Sequence, residues 1–503
     1  MVKTNIYKKE KLNFKFIYIL ILNYYTMRGK EKSIGKVAVA IIVVFVIIIA
    51  GVGGYYYYLS TLPKPVTLTI MVDSGSETQQ YLTMVAKDFE ASHPYVTINI
   101  EGVGFSDMVT TASTALKDKA SQPAIIMFYP SQAPDLAPYL ANLQQYNNII
   151  NLSNMIYSEQ QQGGFYYAPN GTIIKVIGVP IHSVFGYVLG YQKSIFENAT
   201  LASEFEKEYG FAFNPSNLTS WTQLYDIASF INQTHVTQYA LLIPDSSHHA
   251  DIDMIMPLLE YYGLKDKIPG FVPEPPGYYT LLMNLNGRWT TAFNNTAGVD
   301  ALMIWDKLIQ FEPPLSVQPI GYDQQEHFPE TGEYAMFIMW TSFIPDYEAS
   351  TSKIAGNLGI ALLPGGMTGE APTFLGINPY GPNPKLAAEF IAFAMSDTEY
   401  EKGIVSMGYI PGTYSGIKLA AENSNLSWLG PFYQFALTAK VPVLQAAAIP
   451  VIGSLTGTLI PYFNTQVYNF MTSPHPTPAL AMQDLQTAAY EWMSYIEQQH
   501  ITL

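Results

Sequence analysis

Val66-Thr-Leu-Thr-Ile-Met-Val72, Pro94-Tyr-Val-Thr-Ile-Asn-Ile100 and Ala124-Ile-Ile-Met-Phe-Tyr129 are three short runs rich in β-branched residues, and the stretches between them decide the fold class. Between the first two, Glu77–Glu90 places apolar residues at Tyr81, Met84, Val85 and Phe89, the stripe of an amphipathic helix. Phe105–Lys119 repeats that pattern before the third run. Strand, helix, strand, helix, strand within about 65 residues predicts a parallel sheet in an α/β lobe.

Downstream, further strands are expected at Ile173–Pro180, Tyr187–Tyr191 and Tyr239–Ile243. Helices are expected at Trp221–Ile231, Val299–Gln310, Lys385–Ala394 and Leu480–Glu497, with loops at Pro273–Pro276 and Ser473–Pro478. The roughly 440 residues after Leu59 exceed one ordinary core and suggest two lobes.

Upstream lies Val37–Leu59, VAVAIIVVFVIIIAGVGGYYYYL, without a charge. At about 1.5 Å per helical residue it is long enough for a hydrocarbon core of roughly 30 Å. Arg28, Lys30, Lys32 and Lys36 precede it and Tyr55–Tyr58 close it, which predicts a cytoplasmic N-terminus and everything after Leu59 outside the cell. Residues 1–36 read as a leader or N-terminal extension, with Met27 a candidate start before the basic RGKEKSIGK. Residues 60–65, STLPKP, read as a stiff linker.

The net charge is −15, and residues 1–36 carry nine basic and two acidic side chains, so residues 37–503 carry −22. Such an acidic ectodomain repels nucleic acid and anionic lipid. The absence of cysteine excludes disulfides, thiolate metal sites, a Cys nucleophile and a lipidated Cys anchor. Sequons begin at Asn151, Asn170, Asn198, Asn217, Asn232, Asn294 and Asn425. They fit a glycosylated surface, or chance in an Asn/Thr-rich chain.

Several longer stretches then fall into a familiar order. Gly178-Val-Pro-Ile-His-Ser-Val-Phe-Gly-Tyr-Val-Leu-Gly-Tyr-Gln-Lys-Ser-Ile-Phe196 resembles the G-x-P…L-x-Y-N-K-x-L-F signature of sugar-binding proteins of ABC importers, with Gln192 in place of Asn. Asn217–Leu224, Phe293–Leu302, Gly332–Trp340, Gly359–Gly366 and Pro384–Asp397 resemble later segments of that family, which includes maltodextrin-binding proteins. The Trp at 340 comes about two residues early for the family pattern. The resemblance implies a two-lobed, type II periplasmic-binding-protein-like α/β fold with a hinge, here of an archaeal, membrane-anchored type. By analogy lobe one is 66–181 with 376–425, and lobe two is 182–375 with 426–503.

A sugar offers hydroxyls and an apolar C–H face, so its site needs carboxylates, amides and an aromatic plate. Trp340 ends an apolar strand where, by the resemblance, a Trp stacks on a sugar ring; a half-buried packing role is the alternative. Trp221 opens a helix after Ser220 and reads as structural. Ser74, Ser76 and Glu77 follow the first strand, where ligands of open α/β sheets sit, although Ser76 also suits a helix cap. Phe128, Tyr129 and Ser131 stand at the end of the third strand, where the resemblance places an aromatic and a polar contact; Pro130 and Pro134 also allow a plain loop. His249 and Asp251, in His248-His-Ala-Asp-Ile-Asp253, could bind sugar, hold a metal or be solvated. Gly376 is a candidate for hinge bending or close approach to ligand.

The function implied is capture of a mono- or short oligosaccharide outside the cell and delivery to a membrane permease. It needs no catalysis, cofactor or metal. The alternatives are an extracellular glycoside hydrolase, which would use two carboxylates about 5–10 Å apart, and a surface adhesion protein.

Overall fold

The computed structural model describes residues 34–61, 64–168, 172–186, 188–246, 254–268, 281–285, 288–315, 317–370, 372–439 and 449–498. They fall into two units, divided after Pro65.

The first unit holds one helix of 28 residues, Ile34–Thr61. Ile42, Phe45, Ile47 and Ile49 are each at least 60% exposed, so apolar side chains cover successive faces of the helix. Its side chains are described without a break from Ile42 to Tyr55, about 21 Å of helix. Among the described residues no helix is long and apolar enough to cross a membrane.

The second unit is built on two sheets. The first has the strand order Val96–Val103, Val66–Asp73, Ile125–Phe128, Thr373–Ile377, Val179–His182. Its first three strands are parallel, with Val66 opposite Val96 and Ile70 opposite Ile125, as the strand–helix alternation requires. Thr373–Ile377 runs antiparallel to both neighbours, with Phe374 opposite Phe128. Helices Glu77–Ser92 and Pro384–Ala394 send Tyr81, Val85 and Phe390 into the same core as Leu68, Ile70 and Ile126.

The second sheet has the order Leu358–Leu362, Val188–Gln192, Tyr334–Met339, Tyr239–Leu242. Trp221, Trp305 and Trp492 are fully buried in the core on this side. Ser220 caps the helix Trp221–Thr234, its hydroxyl accepting from the Gln223 N–H. Gln192 stands where the family signature has Asn, and its amide donates to the carbonyls of Gly332 and Tyr334 at 3.0 and 2.7 Å.

The chain passes between the sheets through Ser183–Gly186, returns through Gly369–Glu370, and these segments pair as Phe185 with Glu370 and Gly186 with Gly369. A third pass brings Pro411 against His182 and the Ile410 carbonyl onto the Ser183 N–H. Paired crossings of this kind form a narrow waist suited to hinge motion.

Some expected boundaries shift. The single strand expected over Ile173–Pro180 is two pieces, Ile173–Val176 in a hairpin with Phe165–Tyr167 and Val179–His182 in the first sheet. Gly178 lies between them, where a side chain would meet the Phe128 ring at 2.5 Å. The division expected between 375 and 376 falls inside the strand Thr373–Ile377, which belongs wholly to the first sheet. Ile417 and Ala420, expected in lobe one, pack with Phe337 and Met339 of the second sheet. A helical stripe states that one face is buried, not which sheet buries it.

Candidate functional site

A cavity of about 370 Å³ opens beside these crossings. Its first wall is the turn after the strand Val66–Asp73. Ser76 begins the helix there, its hydroxyl accepting from the Gln79 N–H at 3.1 Å and donating to the Asp73 carbonyl at 2.8 Å. Glu77 is therefore the first helical residue, where unpaired N–H groups and the helix dipole favour a carboxylate. Tyr129 completes this wall, its hydroxyl donating to Asp73 Oδ2 at 2.9 Å.

The opposite wall is Trp340, directly after the strand Tyr334–Met339, with Ser342 beyond it. His182, Val184 and Thr373, on or next to the crossings, join the two walls. The site thus draws on both sheets and on the waist between them.

His182 organises the buried side. Its Nε2 lies 3.2 Å from Glu77 Oε2 and its Nδ1 3.4 Å from Thr78 Oγ1. The imidazole stacks on Tyr409 at 4.3 Å, and Tyr409 stacks on Tyr81 at 4.1 Å. Burial pushes both phenols far above their ordinary titration range, so the layers under the imidazole stay neutral. A half-buried carboxylate held by a buried imidazole, facing an indole across a cavity, can bind hydroxyls and stack on a C–H face.

Of the candidates named from the sequence, Ser76, Glu77, Tyr129 and Trp340 line this cavity together. Ser76 comes with its hydroxyl already engaged as a cap. Ser74 is exposed, beside Gly102 and off the cavity wall, and Ser131 lies in the turn Pro130–Gln132, also off it.

Phe128 is corrected outright. It is fully buried, stacked on Phe374 at 5.4 Å, and serves the core of the first sheet. Gly376 is corrected as well. A Cβ there would lie 2.9 Å from the Ile177 carbonyl oxygen and 3.1 Å from the Leu140 methyls, so its close approach is to the protein's own chain. His249 and Asp251 lie outside the described residues.

Sequence reasoning missed His182, Thr78, Val184, Ser342 and Thr373. The first was inside a quoted signature, but its partner Thr78 is 104 residues away and no local pattern joins them.

The chain matches the family model described as bacterial extracellular solute-binding protein over residues 84–422. It is 27% identical over 201 residues to a probable ABC transporter-binding protein of Deinococcus radiodurans, an alignment covering 39% of this chain and 47% of that protein. The chain thus spans about half the length of that curated relative. Solved structures that share its fold include the following two. Maltose-bound MalE3 of T. maritima has a TM-score of 0.57 at 17% identity, over 85% of this chain and 100% of its own. A cyclo/maltodextrin-binding protein complexed with maltotetraose has a TM-score of 0.62 at 15% identity, over 88% of this chain and 100% of its own.

Proposed function

The chain belongs to the bacterial extracellular solute-binding protein family, and on that premise we propose that it captures a mono- or short oligosaccharide outside the cell and delivers it to the permease of an ABC importer. The observation that carries this reading is the convergence of Glu77 and Tyr129 from one sheet, Trp340 from the other and His182 from the waist on one cavity. A ligand touching both walls favours the closed arrangement of the lobes, and that differential affinity is the signal a permease can read. The maltose and maltotetraose held by the two structural neighbours support a sugar as the solute.

Binding without turnover is supported by the family, whose model is described as an extracellular solute-binding protein. Sustained product release from labelled oligosaccharides by pure protein would overturn that part.

The same reading makes Val37–Leu59 a single-pass membrane anchor, with an extracellular, glycosylated ectodomain of an archaeal type. Its support is the uncharged run itself, the basic residues before it and the sequons after it. Protease treatment of intact cells tests the topology, and an ectodomain protected from protease rejects it.

The direct test is a thermal-shift screen of the full-length protein against mono-, di- and trisaccharides, because a ligand that binds the native state alone raises the midpoint. No shift with any sugar, and no heat by calorimetry, would reject the function.

A further inference from the structure

A second cavity, of about 220 Å³, shares Glu77 and His182 with the first and continues past them. Its own walls include Thr341, Glu348, Ile410, Leu426 and Trp428. Small-molecule sites commonly measure about 300–1,000 Å³. The first chamber alone sits at the low end of that range, and the two chambers together sit well inside it.

Each chamber has one half-buried tryptophan on its wall, Trp340 in the first and Trp428 in the second. The two indoles share a common backing. Trp428 meets the ring of Phe432 edge-on at 5.4 Å, and Phe432 packs on Phe185 at 5.0 Å. Gly186, the next residue, lies against the Trp340 ring. Phe185 and Phe432 are both fully buried, so the two plates are fixed to one rigid block.

We infer that the ligand is a two-unit saccharide, one ring in each chamber, with the Glu77–His182 pair at the junction. The inference rests on the sugar reading and sets the ligand's length. Glu77 lines both chambers, so its carboxylate accepts hydroxyls from either ring, while the polar His182 contact at 3.2 Å keeps it at the junction. A monosaccharide fills one chamber and forfeits the second plate and its apolar walls. Trp428 is thereby the residue that discriminates by length.

The test is calorimetry on the full-length protein with glucose, maltose, cellobiose, trehalose, galactose and lactose. The expected result is one disaccharide binding at least about tenfold more tightly than its component monosaccharides. Trp428→Ala then removes that preference, lowering disaccharide affinity about tenfold while monosaccharide affinity stays within about twofold. Trp428→Phe keeps a plate and retains most of the preference, and ligand-free melting temperatures of both variants separate binding loss from unfolding. A monosaccharide binding as tightly as every disaccharide, or Trp428→Ala weakening both equally, would overturn the inference and leave sugar capture standing. Binding of no sugar at all would overturn sugar capture and the inference with it.

Discussion

Gly186 lies directly against the six-membered ring of Trp340. A Cβ built on it would stand 2.6 Å from Cζ3 and 2.7 Å from Cε3, closer than side-chain atoms tolerate. The glycine is held in place on both sides. Its carbonyl accepts from Thr368 Oγ1 at 3.1 Å, and the Phe185 N–H donates to Thr341 Oγ1 at 3.0 Å. Removing a Cβ from the crossing lets an indole lie flat against backbone and so fixes the plate at the cavity wall.

Gly186→Ala therefore displaces the plate. Sugar affinity falls about tenfold, about 1.4 kcal/mol, and Trp340→Ala gives a loss of the same order or larger. The double variant binds no worse than Trp340→Ala alone, because the alanine acts through the ring. Calorimetry checks this, and additive losses would show that Gly186 acts elsewhere.

Glu77 and His182 are expected to act as a unit. Glu77→Gln keeps the size of the side chain but weakens both its contact with His182 Nε2 and its acceptance of ligand hydroxyls. Affinity falls by about ten- to a hundredfold, and adding His182→Gln costs less than it does in the wild type. Independent effects in a double-mutant cycle would separate the two residues.

Gly376→Ala tests the corrected role of that glycine. Crowding the Ile177 carbonyl and Leu140 lowers stability by about 1–3 kcal/mol. Sugar affinity measured well below the melting temperature stays unchanged. A loss of affinity at unchanged stability would return Gly376 to the site.

A buried pair of acids makes stability depend on pH. Asp245 Oδ1 accepts from the Ile320 N–H at 2.5 Å, Glu312 Oε2 accepts from the Ile243 N–H at 2.8 Å, and the two buried carboxyls are near enough to repel each other when charged. Burial, with the pair's mutual repulsion added for Glu312, pushes Asp245 up to about 7 and Glu312 well above its usual range. The folded protein thus keeps protons that the unfolded chain releases near pH 4. The resulting stability is fully present below about pH 4 and is lost as pH rises towards 7 and beyond. Asp245→Asn removes one titrating partner, so its melting temperature falls less between about pH 5 and pH 8 than that of the wild type. An equal slope in the two proteins would rule the pair out as its source.

The sheet architecture was legible because it depends on local periodicity. Glu77–Ser92 and Phe105–Lys117 show helical stripes, and the strands between them follow from what such helices must cover. The facing of individual residues was less legible. Ile125–Phe128 and Tyr334–Met339 are buried along their whole length, so an unbroken apolar run carries no phase that separates core-facing Phe128 from cavity-facing Tyr129. Alternation informs only where one face meets water.

By itself the sequence determined the α/β class and an aromatic at the end of the strand Tyr334–Met339, because both follow from residue type and short-range spacing, while chain length and the family resemblance pointed to two lobes. It also made a thiol or disulfide chemistry impossible. Tertiary structure decided which of those residues form a site. His182 meets Glu77, Trp340 rests on Gly186, and Trp428 shares a backing with Trp340 through Phe432 and Phe185. Each of these contacts joins residues that the crossings bring together from distant parts of the chain, and no local pattern encodes where three separate crossings meet.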